Sequence, residues 1–366
     1  MPICPHPTPS FTAVERAEWL AEQEEGEQLA LFSSFPQDVA EATFEALPVF
    51  LQKRLLEQLP KKEGAHLLTI LPPDDRTALL QDFPSHLIEE LLKRLPLDER
   101  KEAVTLLGYP EGSVGRLMTP DYLSVEPEWS VDKALEEVRL YSGKTEVLDM
   151  LYIVDSSGRL LDDVLLKDLL FVHRDKKIAG LADHQYVSLL VDQPDESAIP
   201  IFQQNNRNAL PVVNQEGILL GIVTIDDILR LSDQAATEDI QKIGGTSALS
   251  EPYMEAPFLE LMRKRAGWLV LLFLGEMLTA TALAFFAEEI SKAVVLALFL
   301  PLIISSGGNA GSQASTLIIR AIALGEITSH NWPRVIRRAL FSGLVLGAIL
   351  GLVGFFCVVV WSASCA

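Results

Sequence analysis

The last hundred residues of the chain contain three long apolar stretches separated by short polar segments. Residues 266–287 include one charged side chain, Glu276, and residues 293–319 and 339–361 include none. Each stretch exceeds the roughly 20 residues that an α-helix needs to cross the hydrocarbon core of a bilayer. The pattern predicts an α-helical membrane region with three transmembrane helices at about these positions.

The charges around these stretches predict their orientation. Three consecutive cationic residues at 263–265 precede the first stretch, and four arginines lie between the second stretch and the third. The connection between the first and second stretches carries two glutamates and one lysine. Because Lys and Arg are enriched on the cytoplasmic side, we expect a multi-pass protein of the cell (inner) membrane. Its large N-terminal region is then cytoplasmic, and three spans place the C-terminus outside.

An apolar residue followed by proline recurs every 12 residues in the N-terminal third of the chain. The pairs are Leu47-Pro48, Leu59-Pro60, Leu71-Pro72, Phe83-Pro84 and Leu95-Pro96. Proline lacks the backbone N–H donor and clashes with the preceding turn, so each pair is expected to end one helix and begin the next. Short helices at a fixed interval predict a compact all-α superhelix. An irregular helical bundle with coincident prolines is the alternative.

A second repeat relates residues 151–170 to residues 210–229 at a constant offset of 59. Each copy has a β-branched run, a glycine turn at Gly158 or Gly217, another apolar run and a segment of helical composition. This order predicts strand, turn, strand and helix in both copies. An upstream match at an offset of 67 leaves eight extra residues after the first helix of the first copy. We therefore expect an α/β tandem pair.

Charge divides the chain near residue 262. Residues 1–262 carry 22 Lys and Arg against 46 Asp and Glu, whereas residues 263–366 carry 8 against 4. An acidic surface argues against nucleic acid as a partner and suits hard cations. We find no nucleophile–base pair, no Walker phosphate loop and no His/Cys cluster in the sequence, so we do not expect an enzyme. The scattered cysteines and the absence of an apolar run in residues 1–16 fit a reducing cytosolic location without a secretory signal.

The second apolar stretch contains a cluster of residues that are unusual inside a membrane. Residues 301–313 include a proline, three glycines, an asparagine and a glutamine, which are costly there unless they face protein or water. The amide oxygens suit a divalent cation held through its waters, because Mg²⁺ gives up its hydration shell reluctantly. The alternative is close helix packing through small residues. The candidate ion-pathway residues are Gly307, Gly308, Asn309, Gly311 and Gln313.

Glu276 is a further candidate for the ion pathway. A carboxylate inside a membrane segment is a functional candidate by default. A glutamate near a pore axis and a glutamate hydrogen-bonded between helices give the same sequence pattern, so both interpretations stay open.

The α/β repeat resembles the CBS domain, a module that works as a tandem pair and usually opens with a phrase such as Met118-Thr119-Pro120. The resemblance covers residues 114–178 for the first copy and 179–231 for the second. It implies a cleft between the copies in which many such pairs bind adenine nucleotides.

The nucleotide contact of CBS domains is a Ser or Thr three residues before an Asp. The second copy keeps this pair as Thr224 and Asp227, whereas the first copy has Leu165 before Asp168. The resemblance therefore implies at most one site for ATP or another adenine nucleotide.

Several separated segments are similar to the MgtE family of magnesium transporters. They are residues 238–245, 263–269, 275–280 and 307–313. The order of regions also agrees: an N-terminal tail (1–30), a helical N-domain (31–113), the CBS pair, a connecting helix (232–262) and a membrane domain (263–366). The resemblance implies a homodimeric, Mg²⁺-selective channel that a cytosolic Mg²⁺ sensor closes through the connecting helix.

The resemblance also implies where the sensor lies. The connecting helix would start near Ser232 and run toward Arg263, with interruptions at Gly244-Gly245 and Pro252. Clustered carboxylates repel one another, and bound Mg²⁺ cancels this repulsion and favours the closed form. For Asp74 and Asp75 the alternative is an ordinary helix start. The candidate sensor ligands are Asp74, Asp75, Asp226, Asp227, Glu238 and Asp239.

The chain departs from the family pattern after the third apolar stretch. The family has five membrane helices per subunit, and the later ones supply an acidic pore ligand, but no Asp occurs here after position 239. Three interpretations stay open. The chain is a fragment, it pairs with another polypeptide that supplies the missing helices, or it does not conduct. In the last case it is a membrane-tethered CBS regulator that senses Mg²⁺ or an adenine nucleotide.

Overall fold

The structure is a computed structural model of the 366-residue chain, and it forms two compact units, residues 1–232 and 233–366. The described residues are 11–81, 83–141, 145, 147–246, 249, 253, 256–292, 294–323, 327 and 331–364.

Within the described residues, eight helices form the N-terminal part of the first unit. They are α1 (Ala13–Ala21), α2 (Glu25–Ser33), α3 (Gln37–Ala46), α4 (Val49–Gln58), α5 (Lys61–Ile70), α6 (Pro73–Gln81), α7 (Ser85–Leu92) and α8 (Leu97–Leu107). Helices two apart in the chain pack together, α3 on α5 on α7 and α4 on α6 on α8. This all-α part is the predicted helical domain.

The prolines of the 12-residue repeat lie at helix starts. Pro48, Pro60, Pro84 and Pro96 are the N-cap residues of α4, α5, α7 and α8, and Pro72 directly precedes the first residue of α6. The apolar partners in the repeat are all buried in one hydrophobic core. The repeat therefore has two functions, because each pair ends a helix and also contributes a core side chain.

The prediction of an N-terminal tail over residues 1–30 is wrong, since α1 and most of α2 lie within this range. Thr12 and Glu15 form a capping box: the Thr12 hydroxyl accepts from the Glu15 N–H at 3.3 Å, and the Glu15 carboxylate accepts from the Thr12 N–H at 2.7 Å. Trp19 and Leu20 are buried in the core of the helical domain. The many glutamates of this segment conceal its apolar face in the sequence.

Two copies of one α/β unit follow α8. The first contains α9 (Val114–Leu117), β1 (Ser124–Val125), α10 (Val131–Tyr141), β2 (Met150–Val154), β3 (Leu160–Leu165) and α11 (Leu166–Leu170). The second contains β4 (Leu189–Leu190), α12 (Ala198–Asn205), β5 (Ala209–Val213), β6 (Leu219–Thr224) and α13 (Ile225–Ile243). Short 3₁₀ turns cover Ile178–Gly180 and Asp195–Ser197. The offset of 59 relates β2 to β5 and β3 to β6, as the sequence predicts.

Each copy has a three-stranded sheet of the same topology. The first strand pairs in parallel with the second, and the second pairs antiparallel with the third. The copies contact each other through their hairpins: Leu160 N–H donates to the Gly217 carbonyl at 2.9 Å, and Leu219 N–H donates to the Gly158 carbonyl at 3.0 Å. The two copies also share one hydrophobic cluster. The predicted α/β tandem pair is therefore present as one packed body.

Helix α13 corrects the predicted start of the connecting helix. It begins at Ile225, directly after β6, and continues through Ser232 without a break. No proline or glycine lies between residues 225 and 243, so nothing interrupts the helix there. It ends at Gly244-Gly245, where Gly245 has a φ of +67°. Pro252 lies outside the described residues.

The second unit contains α14 (Phe258–Phe285), α15 (Ala287–Lys292), α16 (Val294–Ala323) and α17 (Trp332–Ser364). In the described part of the chain, two helices are long and apolar enough to cross a membrane, Phe258–Phe285 and Trp332–Cys357. They correspond to the first and third predicted spans. The second predicted span corresponds to α16. Residue 293 and the side chains of residues 292–300 lie outside the described part, so this span stays a prediction.

Candidate functional site

Three carboxylates from the helical domain and the second CBS copy meet in the first unit. Asp74 and Asp75 lie in the first turn of α6, and Asp227 lies in the first turn of α13. One carboxylate oxygen of each residue lies within 4.8 Å of the other two. Among the described residues, this is the one group of His, Cys, Asp and Glu side chains with metal-binding spacing. We call Asp74, Asp75 and Asp227 the carboxylate cluster.

The local sequence explains why these side chains occupy helix starts. Pro72-Pro73 begins α6, which puts the following two aspartates in its first turn, where the helix dipole favours negative charge. Asp227 lies in the corresponding turn of α13, directly after β6. The buried Thr224 hydroxyl donates to Oδ2 of Asp227 at 2.7 Å and fixes its orientation. Two helix starts therefore direct acidic side chains to one point.

Arg230 lies at the edge of the carboxylate cluster and contacts both sides of it. Its Nη2 atom is 3.0 Å from Oδ1 of Asp75 and 3.7 Å from Oδ2 of Asp226, and it also donates to Oδ1 of Asp227. Sequence analysis did not select this residue, because an arginine three positions after an aspartate forms an ordinary pair on a helix surface. Its contact with Asp75 arises only from tertiary packing.

Burial and like charge make the carboxylate cluster electrostatically unfavourable. Burial raises the pKa of Asp75, and the carboxylates of Asp227 and Asp226 raise it further, while Arg230 opposes the shift. At Arg230, burial alone would lower the pKa, but the neighbouring aspartates outweigh it and raise the pKa overall. The cluster therefore holds excess negative charge that a cation would relieve.

The donor set of the carboxylate cluster fits a hard divalent cation. Mg²⁺ takes oxygen ligands at about 2.0–2.1 Å in an octahedron, so opposite ligands lie about 4 Å apart. Oxygens within 4.8 Å of one another need only small side-chain rotations to reach this geometry. Water would supply the remaining positions. Asp74, Asp75 and Asp227 are the residues that would hold the ion.

The structure brings together three of the six predicted sensor ligands. Asp226 is exposed and contacts the cluster through Arg230. Glu238 and Asp239 lie in the later part of α13, which belongs to the second unit, and Glu238 pairs with Lys242 at 3.0 Å. Their role as sensor ligands stays a prediction.

The two CBS copies differ at the predicted nucleotide contact. Thr224 and Asp227 are both buried in the second copy. In the first copy, Leu165 takes the place of Thr224, and Asp168, the counterpart of Asp227, is exposed. The use of Thr224 and Asp227 for an adenine nucleotide stays a prediction.

A second difference between the copies is Asp162, which occupies the position of Gly221. Its side chain is fully buried and accepts the His184 N–H at 2.8 Å and the Asp163 N–H at 2.9 Å. His184 has a φ of +59°, a conformation that is uncommon for a residue other than glycine. The offset of 59 places Asp162 opposite Gly221, but the offset gives no indication of the bond between Asp162 and the segment that joins the copies.

The predicted ion-pathway residues of the second apolar stretch all lie on α16. Asn309 and Gln313 are four residues apart and share one face of the helix. Cβ atoms built on Gly307, Gly308 and Gly311 would meet nothing within 4 Å. The three glycines lie on a different side of α16 from Asn309 and Gln313, and no atom of the described residues approaches their Cβ positions within that distance. Glu276 is exposed on α14 in the single chain, and the roles of all these residues stay predictions.

Comparison with family models covers three regions of the chain. Residues 12–112 match the MgtE intracellular N domain, and residues 114–175 and 178–233 match the CBS domain. Residues 300–365 match a model described as divalent cation transporter.

Comparison with individual proteins gives the same picture. The chain is 35% identical over 251 residues to the magnesium transporter MgtE of Thermus thermophilus, which is 69% of this chain and 56% of the relative. It is 32% identical over 265 residues to the magnesium transporter MgtE of Enterococcus faecalis, which is 72% of this chain and 58% of the relative. The chain thus spans less than two thirds of these curated relatives.

A solved structure is similar to more than half of the chain. It is the cytosolic domain of the Mg²⁺ channel MgtE in complex with ATP, with a TM-score of 0.57 and 26% identity. The similarity covers 61% of this chain and 91% of that structure.

Proposed function

Because this chain belongs to the MgtE family, we propose that it takes part in transmembrane transport of magnesium and carries the cytosolic Mg²⁺ sensor that regulates it. The observation that carries this proposal is the carboxylate cluster, which joins the helical domain to the second CBS copy. Because both domains contribute ligands to this site, binding of an ion there would strengthen the contact between them.

The residues of the cluster account for the proposed response. Without a divalent cation, the carboxylates of Asp74, Asp75 and Asp227 repel one another across the boundary between α6 and α13. Bound Mg²⁺ supplies positive charge that offsets this repulsion. Because the ion binds only when both helices contribute ligands, it favours the closed arrangement.

Helix α13 provides a route from the sensor toward the membrane region. Asp227 and residues 232–243 belong to one uninterrupted helix. A shift of Asp227 therefore moves the connecting segment as well. Glu238 and Asp239 of this segment are proposed as additional sensor ligands.

For the membrane part, we propose a homodimer with the ion pathway along α16, on a multi-pass membrane region with cytoplasmic N-terminal domains. Supporting features are the open space next to three glycines and the shared face of Asn309 and Gln313. The proposed ion-pathway residues are Gly307, Gly308, Asn309, Gly311, Gln313 and Glu276. We also propose a second membrane polypeptide as a partner of this region.

A second proposed ligand is an adenine nucleotide at the second CBS copy. The solved cytosolic domain of an MgtE channel in complex with ATP supports this proposal. Thr224 and Asp227 would form the contact, and the buried hydrogen bond between them would have to open. We expect calorimetry to show ATP binding to the full chain and loss of that binding in Thr224→Val.

The sensor is tested by limited proteolysis of the full chain in detergent over a range of Mg²⁺ concentrations. We expect millimolar Mg²⁺ to protect residues 1–262 and Asp227→Asn to lose this protection. Asp168→Asn is the matched control, since it alters the exposed aspartate at the same position of the other copy. Equal cleavage of the unaltered chain with and without Mg²⁺ would contradict the sensor.

Transport is tested separately by rescue of a bacterial strain that needs millimolar Mg²⁺ to grow. Growth at low Mg²⁺ with confirmed membrane insertion supports transport. Lack of growth in an inserted chain that still shows Mg²⁺ protection favours a membrane-tethered sensor that does not itself conduct.

A further inference from the structure

Arg230 places a positive charge where the sensor would bind a cation. Its guanidinium contacts Asp75 of α6 and both Asp226 and Asp227 of α13. We propose that Arg230 is a tethered cation that competes with Mg²⁺ for the carboxylate cluster and thereby sets the Mg²⁺ concentration at which the sensor responds. This inference rests on the proposed sensor function.

The contacts of Arg230 are those that a bridging cation makes. The guanidinium joins the same two helices that the divalent ion would join, and it does so through oxygens of Asp75 and Asp227. Planar guanidinium groups are well suited to holding two carboxylates at once. The metal-free protein therefore already has a cross-link between α6 and α13. This cross-link offsets only part of the repulsion between the carboxylates.

Charge balance indicates that the cross-link by Arg230 is incomplete. The guanidinium of Arg230 contacts three carboxylates, those of Asp75, Asp226 and Asp227. Asp74 belongs to the same cluster and interacts with Arg76, so four carboxylates stand against two guanidinium groups. The cluster therefore stays negative with Arg230 in place and still attracts a divalent ion. A guanidinium within contact distance of that ion would repel it, so Arg230 and Mg²⁺ do not occupy the cluster together.

Arg230 is free to leave without unfolding its surroundings. Its side chain is 51% exposed, so rotation carries the guanidinium into solvent. Asp227 cannot move in this way, because it is buried and held by Thr224. Exchange of Arg230 for Mg²⁺ therefore needs only a new rotamer of the Arg230 side chain, while Asp227 keeps its position.

The competition has a defined effect on the proposed response. Mg²⁺ must displace Arg230 as well as bind, so the concentration for half-maximal closure is higher than the carboxylates alone would give. Removal of the positive charge of Arg230 would increase the difference between the metal-free and metal-bound states. The metal-free form would lose its cross-link between α6 and α13, whereas the metal-bound form would keep the link through Mg²⁺.

The test compares Arg230→Gln, Arg230→Lys and the unaltered full chain by limited proteolysis in EDTA and in increasing MgCl₂. We expect Arg230→Gln to be cleaved faster in EDTA and to reach half-maximal protection at roughly tenfold lower Mg²⁺. Arg230→Lys keeps the charge and should stay within about threefold of the unaltered chain. Arg174→Gln is the matched control, because Arg174 forms an exposed ion pair with Asp132 in the same CBS pair.

The outcomes separate the inference from the function on which it rests. Equal protection of Arg230→Gln and the unaltered chain at saturating Mg²⁺ shows that the variant is folded. An unchanged or higher Mg²⁺ midpoint in Arg230→Gln, beside a normal response of the unaltered chain, overturns the inference alone. Absence of any Mg²⁺ response in all four proteins overturns the sensor function and the inference together.

Discussion

The carbonyl oxygen of Thr119 lies 2.6 Å from the position that a Cβ atom would take on Gly221. The two segments are also joined by backbone hydrogen bonds, since Thr119 N–H donates to the Ile222 carbonyl at 2.8 Å and Ile222 N–H donates back at 2.9 Å. This close approach holds the segment after α9 against β6 of the second copy. It explains why a glycine stands where the first copy has Asp162.

We expect Gly221→Ala to lower the free energy of unfolding by about 1–3 kcal/mol, because the new methyl group forces the backbone at Thr119 to move. Thermal unfolding of the full chain in detergent, followed by circular dichroism, measures the change. Gly26→Ala is the control: its Cβ meets no atom of the described residues within 4 Å, and alanine favours the helix by about 0.5–1 kcal/mol. Equal effects of the two substitutions would contradict the close approach.

The 12-residue repeat gives a prediction for the core of the helical domain. Leu59 is the C-cap residue of α4 and is 6% exposed, whereas Leu97 begins α8 and is 73% exposed. We expect Leu59→Ala to lower the free energy of unfolding by about 2–5 kcal/mol, through lost burial and the cavity left behind. Leu97→Ala should change it by less than about 0.5 kcal/mol. Urea unfolding compares the pair, and similar losses would mean that the repeat residues do not form the core.

The pair of Asp163 and Arg207 gives a prediction about pH. Burial raises the pKa of Asp163, and Arg207, 3.2 Å away, opposes this shift. A carboxyl group with a raised pKa in the folded chain binds its proton more tightly when folded. Its contribution to stability is therefore present at low pH and is lost as the pH rises through the folded pKa.

We expect Arg207→Gln to raise the pKa of Asp163 further and to lower the free energy of unfolding at pH 7 by about 2–4 kcal/mol. The deficit relative to the unaltered chain should shrink as the pH is lowered toward about 5. Urea unfolding at several pH values measures it. The double substitution Asp163→Asn with Arg207→Gln should remove this pH dependence, and its persistence would assign the effect to another group.

The orientation in the membrane is tested with single cysteines and a maleimide that does not cross membranes. After replacement of Cys4, Cys357 and Cys365 by serine, we expect Glu289→Cys to be labelled in intact cells, because the positive-inside rule places this connection outside. Ser157→Cys lies in an exposed turn of the first CBS copy and should be labelled only after permeabilisation. The opposite pattern would invert the proposed topology.

Local patterns account for most of what the sequence predicts correctly. Leu59-Pro60 predicts a helix end because proline acts on its own neighbourhood, whatever surrounds it. Gly158 and Gly217 predict hairpin turns for the same reason, and both have positive φ, +82° and +81°. The CBS pair then follows from the offset between the copies.

Features that depend on tertiary packing were beyond prediction from one sequence. Resemblance to a family suggested Asp75 and Asp227 as ligands, but nothing local indicated that Arg230 would lie between them. The bond from His184 to Asp162 was missed because neither residue type indicates a partner 22 positions away. The N-terminal helix was missed because it is only nine residues long and Glu15 and Glu18 interrupt its apolar residues.

The unbroken course of α13 has a mechanical consequence. Its 19 residues make a rod of about 28 Å at a rise of 1.5 Å per residue. If the end that carries Asp227 stays fixed and the rod tilts by about 10°, the end at Ile243 moves by about 5 Å over that length. In the proposed sensor, a small rotation of the helix start at the carboxylate cluster would thus be amplified along the rod, which ends at Gly244-Gly245.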